Sequence, residues 1–159
     1  MCLFKGPVKR MVDALKYEAA LYVLEDIAPF MRKNSDMRDF LRGAVLVPVP
    51  LHPRKLRERG YNQSQYLAES FGEEVSGRGV ANLLIRKKDT LSQTGFDLKA
   101  RKENLKNAFA LAPKMSIDLS LRYILVDDVF TTGSTLNACA AVLRRAGVVQ
   151  LDVATLAHG

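Results

Sequence analysis

Residues 123–143 read YILVDDVFTTGSTLNACAAVL. An apolar run stops at two adjacent carboxylates, Asp127 and Asp128. Thr131, Thr132, Gly133, Ser134 and Thr135 follow, and then a helical pattern begins. Backbone N–H groups at a helix start, with the helix dipole behind them, favour anions. Four hydroxyls add donors, and a glycine lets the backbone come close to a ligand. Residues 131–135 therefore read as a phosphate cradle, without the spacing or the lysine of a Walker loop. Two carboxylates beside the cradle would repel a second phosphate. They suit vicinal sugar hydroxyls, which donate to carboxylates, or a hydrated Mg²⁺. A capped helix after a strand would explain one solvated acid, but it explains two acids followed by TTGST poorly.

The elements that must hold these residues follow from hydropathy patterning. Residues 44–50, 81–87, 121–128 and 148–157 are short apolar runs that predict buried strands, with a further short strand at 108–111. Apolar residues at helical spacing predict helices over 8–31, broken near Pro29, and over 60–75 and 134–147, the last stopped by Gly147. Continuous apolar strands alternating with helices predict an α/β fold with a mostly parallel sheet flanked by helices. Ligands of such sheets bind beyond the carboxyl ends of the strands. The ends after Pro50, Arg86 and the acid pair are the candidates for one crevice.

The chain has 159 residues, 48% of them hydrophobic and 26% charged, enough for one domain with a sizeable core. No apolar run approaches the roughly 20 residues of a bilayer span. No signal-peptide pattern opens the chain. Cys2 and Cys139 form neither a disulfide framework nor a zinc-binding spacing. A cytoplasmic protein without membrane insertion is expected. The formal charge of +7 points to anionic partners such as phosphorylated metabolites or nucleic acid.

The stretch ILVDDVFTTGST resembles the phosphoribosyl-pyrophosphate (PRPP) signature of the type I phosphoribosyltransferases. The resemblance implies that fold, with a flexible lid loop. It implies that Asp127 and Asp128 hold the ribose hydroxyls, with Mg²⁺ held there directly or through water, and that Thr131 to Thr135 hold the 5-phosphate. VPVPLHPRKLRERGYNQSQYLAE (47–69) lies where the family has its pyrophosphate loop, which makes Leu51, His52, Pro53, Arg54 and Lys55 the candidates. RKKDTLSQTGFDLKARKENLKNAF (86–109) resembles the family's lid, with Arg86, Lys87, Lys88, Gln93, Thr94 and Arg101 as its ligand-facing candidates. A lid should be polar and basic, to exclude water and clamp charge.

The last two segments, with FKGPVKRMVDALKY near the start, narrow the resemblance to the ComF (competence protein F) group. Residues 1–43 are then an N-terminal helical segment on the core, and 44–159 the PRPP-binding domain, effectively one unit. Members of that group usually begin with a four-cysteine zinc finger, which this chain lacks, so no zinc is expected. Purine-salvage relatives carry an acid where Thr131 stands, which argues against hypoxanthine or guanine as acceptor. Two functions stay open. One is a Mg²⁺-dependent phosphoribosyltransferase of unknown acceptor. The other is a non-catalytic PRPP-fold module of DNA uptake that binds single-stranded DNA through a basic face. A homodimer stays open as well. Tyr61, Asn62 and Gln63, at a helix start near the crevice, either contact the ligand or shape the turn.

Overall fold

A computed structural model of the chain describes residues 2–3, 5–17, 33–73, 78–88 and 107–159, and the single positions 20, 22, 23, 29 and 105. In chain order the elements are β1 (Cys2–Leu3), α1 (Gly6–Tyr17), α2 (Ser35–Leu41), β2 (Val45–Pro48), α3 (Pro53–Arg59) and α4 (Gln63–Glu73). They continue with β3 (Leu84–Arg86), β4 (Phe109–Leu111), β5 (Tyr123–Phe130), α5 (Ser134–Arg145) and β6 (Leu151–His158).

Four strands form one parallel sheet in the order β1-β6-β5-β2. A parallel bridge between Leu46 and Val80 continues it beyond β2. β5 lies inside the sheet and is covered on both faces, which is why its run YILV is apolar at every position. Register partners share a face, so the core divides cleanly. Val45, Val47, Tyr123 and Leu125 pack with Cys139, Val142 and Leu143 of α5. Leu46, Ile124, Val126 and Ala154 pack with Leu67, Ala68 and Phe71 of α4 on the other face. Helices on both faces of a parallel sheet are the type I phosphoribosyltransferase fold expected from the sequence.

Three local expectations change. The strand at 81–87 does not join the parallel sheet. Its Leu84–Arg86 part pairs antiparallel with β4 as a separate two-stranded ribbon. Three-residue strands carry no periodicity that would choose between partners. Pro53, Arg54 and Lys55, expected in the pyrophosphate loop, instead open α3, which runs on to Arg59. His52 caps its first turn by accepting from Arg54 N–H at 3.3 Å, Pro53 occupies its first position, and Gly60 ends it at φ +84°. β5 also runs through the acid pair to Phe130 instead of stopping there.

The helix expected over 8–31 corresponds to α1 in its first part, and most positions beyond Tyr17 lie outside the described residues. Gln93, Thr94 and Arg101 of the expected lid also lie outside them. Among the described residues no helix is long and apolar enough to cross a membrane.

Candidate functional site

Successive strand residues point to opposite faces. Asp128 therefore continues the row of Ile124 and Val126 toward α4. It is 4% exposed, which demands polar partners for its charge. Two protein donors meet on its Oδ2: Gln63 Nε2 at 3.0 Å and Lys16 Nζ at 3.1 Å. Asp127 is partly buried. Its Oδ1 accepts from Ser64 Oγ at 2.9 Å and from the Asp128 backbone N–H at 3.0 Å.

The protein thus holds one oxygen of each carboxylate. Asp127 Oδ2 and Asp128 Oδ1 have no donor among the described residues. Burial, and next the neighbouring Asp128 charge, push the Asp127 carboxyl up to about 7, although the Ser64 hydroxyl, the Asp128 N–H and Lys16 pull the other way. Beside Asp127 on β6, its register partner Thr155 is buried, and Thr155 Oγ1 has no hydrogen-bond partner among the described residues.

The first turn of α4 is fixed where it can reach both acids. Asn62 donates from Nδ2 to the Val49 carbonyl at 3.0 Å and accepts from Ser64 N–H at 3.2 Å. It therefore ties the end of β2 to the start of α4, a turn-shaping role. Gln63, its neighbour, turns to the acid pair instead. Gln63 Oε1 accepts from the Arg59 guanidinium at the end of α3.

The C-terminal end of α1 closes over this network through three consecutive residues. The Leu15 carbonyl accepts from the Tyr61 hydroxyl, Lys16 pairs with Asp128, and the Tyr17 ring lies under the Arg59 guanidinium at 5.8 Å. Lys16 and Ser64 were missed as site residues in the sequence. Ser64 lies on the apolar face of its helix, and Lys16 reads as an ordinary solvated residue of an amphipathic one.

The loop after β5 brings the hydroxyls to the same end of the sheet. Thr131 and Thr132 are exposed, Ser134 and Thr135 half-buried, and Gly133 buried. Thr132 Oγ1 and Ser134 Oγ are 2.8 Å apart. Gly133 sits at φ +69° with the Phe130 ring against it, so a Cβ there would meet Phe130 Cζ at 3.0 Å. The loop is a tight turn that starts α5: Gly133 at the cap position offers no side chain, and Thr132 Oγ1 accepts from the Ser134 N–H at 3.4 Å. Cys139, one turn further, is buried. Burial and the Asp127 charge push its thiol well up, so it is an inert core group.

The other expected residues sit around this end. Leu51 and His52 are half-buried in the β2–α3 connection, Pro53 and Arg54 are exposed on the first turn of α3, and Lys55 is half-buried. Arg54 pairs with Glu58 one turn on, Nε to Oε1 at 3.4 Å, an exposed pair of little strength. Arg86 stacks on Phe109 at 5.4 Å in the separate ribbon, within electrostatic reach of Cys139, with Lys87 and Lys88 exposed after it. A groove of about 390 Å³ opens along α5 between Phe109 and Ser134, Asn137 and Arg145, and none of its lining residues belongs to β5 or α4.

Among the described residues no three His, Cys, Asp or Glu side chains gather into a metal-binding group. The acid pair with its two open oxygens, and the unpartnered Thr155 hydroxyl beside it, fits a Mg²⁺ that keeps its waters and takes the rest of its ligands from a substrate's phosphates. The chemistry of the donor set does not fit a dedicated protein cage.

A parallel sheet flanked by helices, with acids at the end of its inner strand and a hydroxyl-rich turn into the next helix, gives the chain a type I phosphoribosyltransferase-like fold. No family model matches the chain. Competence protein F of Haemophilus influenzae is 41% identical over 156 residues, covering 96% of this chain and 68% of that protein. DNA utilization protein YhgH of Salmonella typhi is 35% identical over 94% of this chain and 66% of its own length. Competence protein ComFC of Streptococcus pneumoniae is 29% identical over 96% of this chain and 64% of its own. The chain spans about two thirds of the length of these relatives. It belongs to the competence protein F (ComF) family.

Proposed function

We propose that this chain binds PRPP with Mg²⁺ at the end of β5 and transfers its phosphoribosyl group to an acceptor, releasing pyrophosphate, within the competence and DNA utilization for which its relatives are named. The observation that carries the reading is the pair of open oxygens, Asp127 Oδ2 and Asp128 Oδ1, beside the Thr131–Thr135 turn. A ribose offers two adjacent hydroxyl donors and a 5-phosphate at one end, which matches one acceptor pair next to one anion cradle.

In the transfer the bond from the anomeric carbon to pyrophosphate breaks as the acceptor bond forms, and positive charge develops on the sugar ring. Asp127 and Asp128 hold the diol and lie on the side where that charge grows. Mg²⁺, when bound, neutralises the departing pyrophosphate. Arg54 and Lys55 supply cationic charge at the neighbouring strand end. The test is pyrophosphate release from PRPP across a panel of acceptors, with the wild type compared against Asp128→Asn. Release that persists unchanged in the variant contradicts the reading.

A second role is favoured by α3. Its Arg54 and Arg57 are exposed, none of its residues is buried, and the whole chain carries +7. We propose that this basic face, in the cytoplasm, contacts the backbone of single-stranded DNA. Such binding must weaken steeply with salt. A labelled oligonucleotide should lose most of its affinity between low and physiological salt, and Arg54→Ala/Arg57→Ala should flatten that dependence. Binding that is indifferent to salt would contradict this role.

A further inference from the structure

We propose that Lys16 is a built-in counter-ion which keeps free divalent metal off the acid pair, so that Mg²⁺ enters only together with a phosphate-bearing ligand. The inference deepens the PRPP reading and rests on it for the identity of that ligand. Two carboxylates on adjacent residues, one buried and one partly buried, are by charge and chemistry the start of a divalent-cation site. In this chain an ammonium already stands there, 3.1 Å from Asp128 Oδ2 and itself only 23% exposed.

The ammonium is not a wandering surface lysine. Leu15 on one side is fixed through its carbonyl by Tyr61, and Tyr17 on the other side packs under Arg59. Arg59 in turn holds Gln63, which donates to the same oxygen of Asp128. Lys16 therefore takes up charge at Asp128 Oδ2, while Asp127 Oδ2 and Asp128 Oδ1 have no donor among the described residues. A metal ion approaching those oxygens alone meets a cation already paired with the same Asp128 carboxylate, in a part-buried setting where charges are poorly screened. A metal that arrives with phosphates brings its own negative charge, and the repulsion is offset.

The test uses Mn²⁺ as the metal and ribose 5-phosphate or PRPP as the phosphate ligand, at pH 8, read by electron paramagnetic resonance of free Mn²⁺ and by calorimetry. Wild type should bind Mn²⁺ weakly when alone and at least about tenfold more tightly with the sugar phosphate present. Lys16→Met, or Lys16→Gln should the first fail to fold, should bind Mn²⁺ alone at least about tenfold more tightly than wild type.

Lys16→Arg should restore the wild-type exclusion, which a purely structural role for the side chain would not require. Lys5→Met, an equal change of net charge at an exposed position, should behave as wild type. Equal Mn²⁺ affinity of wild type and the neutral variants overturns the inference. A gain of Mn²⁺ binding in Lys16→Met with no response to either sugar phosphate in any variant overturns the phosphoribosyl reading and supports the counter-ion role.

Discussion

Lys16 reaches Asp128 from a different helix than Gln63, and both settle on one oxygen, at 3.1 and 3.0 Å. The acid that the ribose reading needs is thus held at Oδ2 by two elements, α1 and α4, while its Oδ1 has no donor among the described residues. Orientation of this kind lowers the ordering cost of binding, because the carboxylate has no other partner to leave. It also makes α1 part of the site, since its last three residues all touch groups of the acid network.

Gln63→Leu tests the orientation directly. It removes a donor from a buried charge, an interaction of about 1.5–3 kcal/mol. PRPP affinity measured by calorimetry should fall about tenfold or more, and the thermal midpoint should drop with it. Unchanged affinity would mean that Lys16 alone suffices to hold Asp128.

Asp127 predicts a pH signature. Its carboxyl titrates near 7 in the fold against an ordinary value of 3.8, so between those values the folded state holds a proton that the unfolded state has released. Stability contributed by this group is therefore greatest below about pH 4 and is lost as pH rises toward 7. Asp127→Asn should match wild type in denaturant titrations at pH 4. At pH 8 it should exceed it, by at most about 4 kcal/mol. An equal difference at both pH values would contradict the assignment.

Gly133→Ala strains the phosphate turn. The new Cβ would meet the Phe130 ring at 3.0 Å, in a backbone region that costs an alanine about 1 kcal/mol or more. Binding of ribose 5-phosphate should weaken clearly more than binding of ribose alone. Equal losses for the two ligands would separate the turn from the 5-phosphate.

Tyr61→Phe removes the hydroxyl that holds the Leu15 carbonyl. Global stability should fall by about 1 kcal/mol. Amide exchange should quicken over residues 6–17 more than in β5. Uniform exchange across the chain would show that α1 does not detach as a unit.

Much of this architecture is legible in the sequence because burial on both faces leaves a plain mark. YILV in β5 and VLV in β2 are apolar at every position, and the stripe Leu136, Cys139, Val142, Leu143 marks α5 before Gly147. The acid pair and the TTGST turn stand out because no packing demand would place them there. α3 is less visible, since RKLRER is charged all round and buries nothing; only its His-Pro start and glycine stop signal it. The pairing of β3 with β4 depends on contacts between segments far apart in the chain, which periodicity cannot encode. Lys16 is invisible for the same reason: its partner lies on β5, more than a hundred positions away, and only the docking of α1 brings the two together.

The acid pair and its adjoining turn are proposed to form a PRPP site. Titration calorimetry of PRPP, with and without Mg²⁺, on wild type and on Asp127→Asn/Asp128→Asn, tests it most directly. A PRPP site here requires Mg²⁺-dependent binding to wild type and its loss in a double variant that remains folded. Absence of binding to folded wild type, or binding that survives in the double variant, would contradict it.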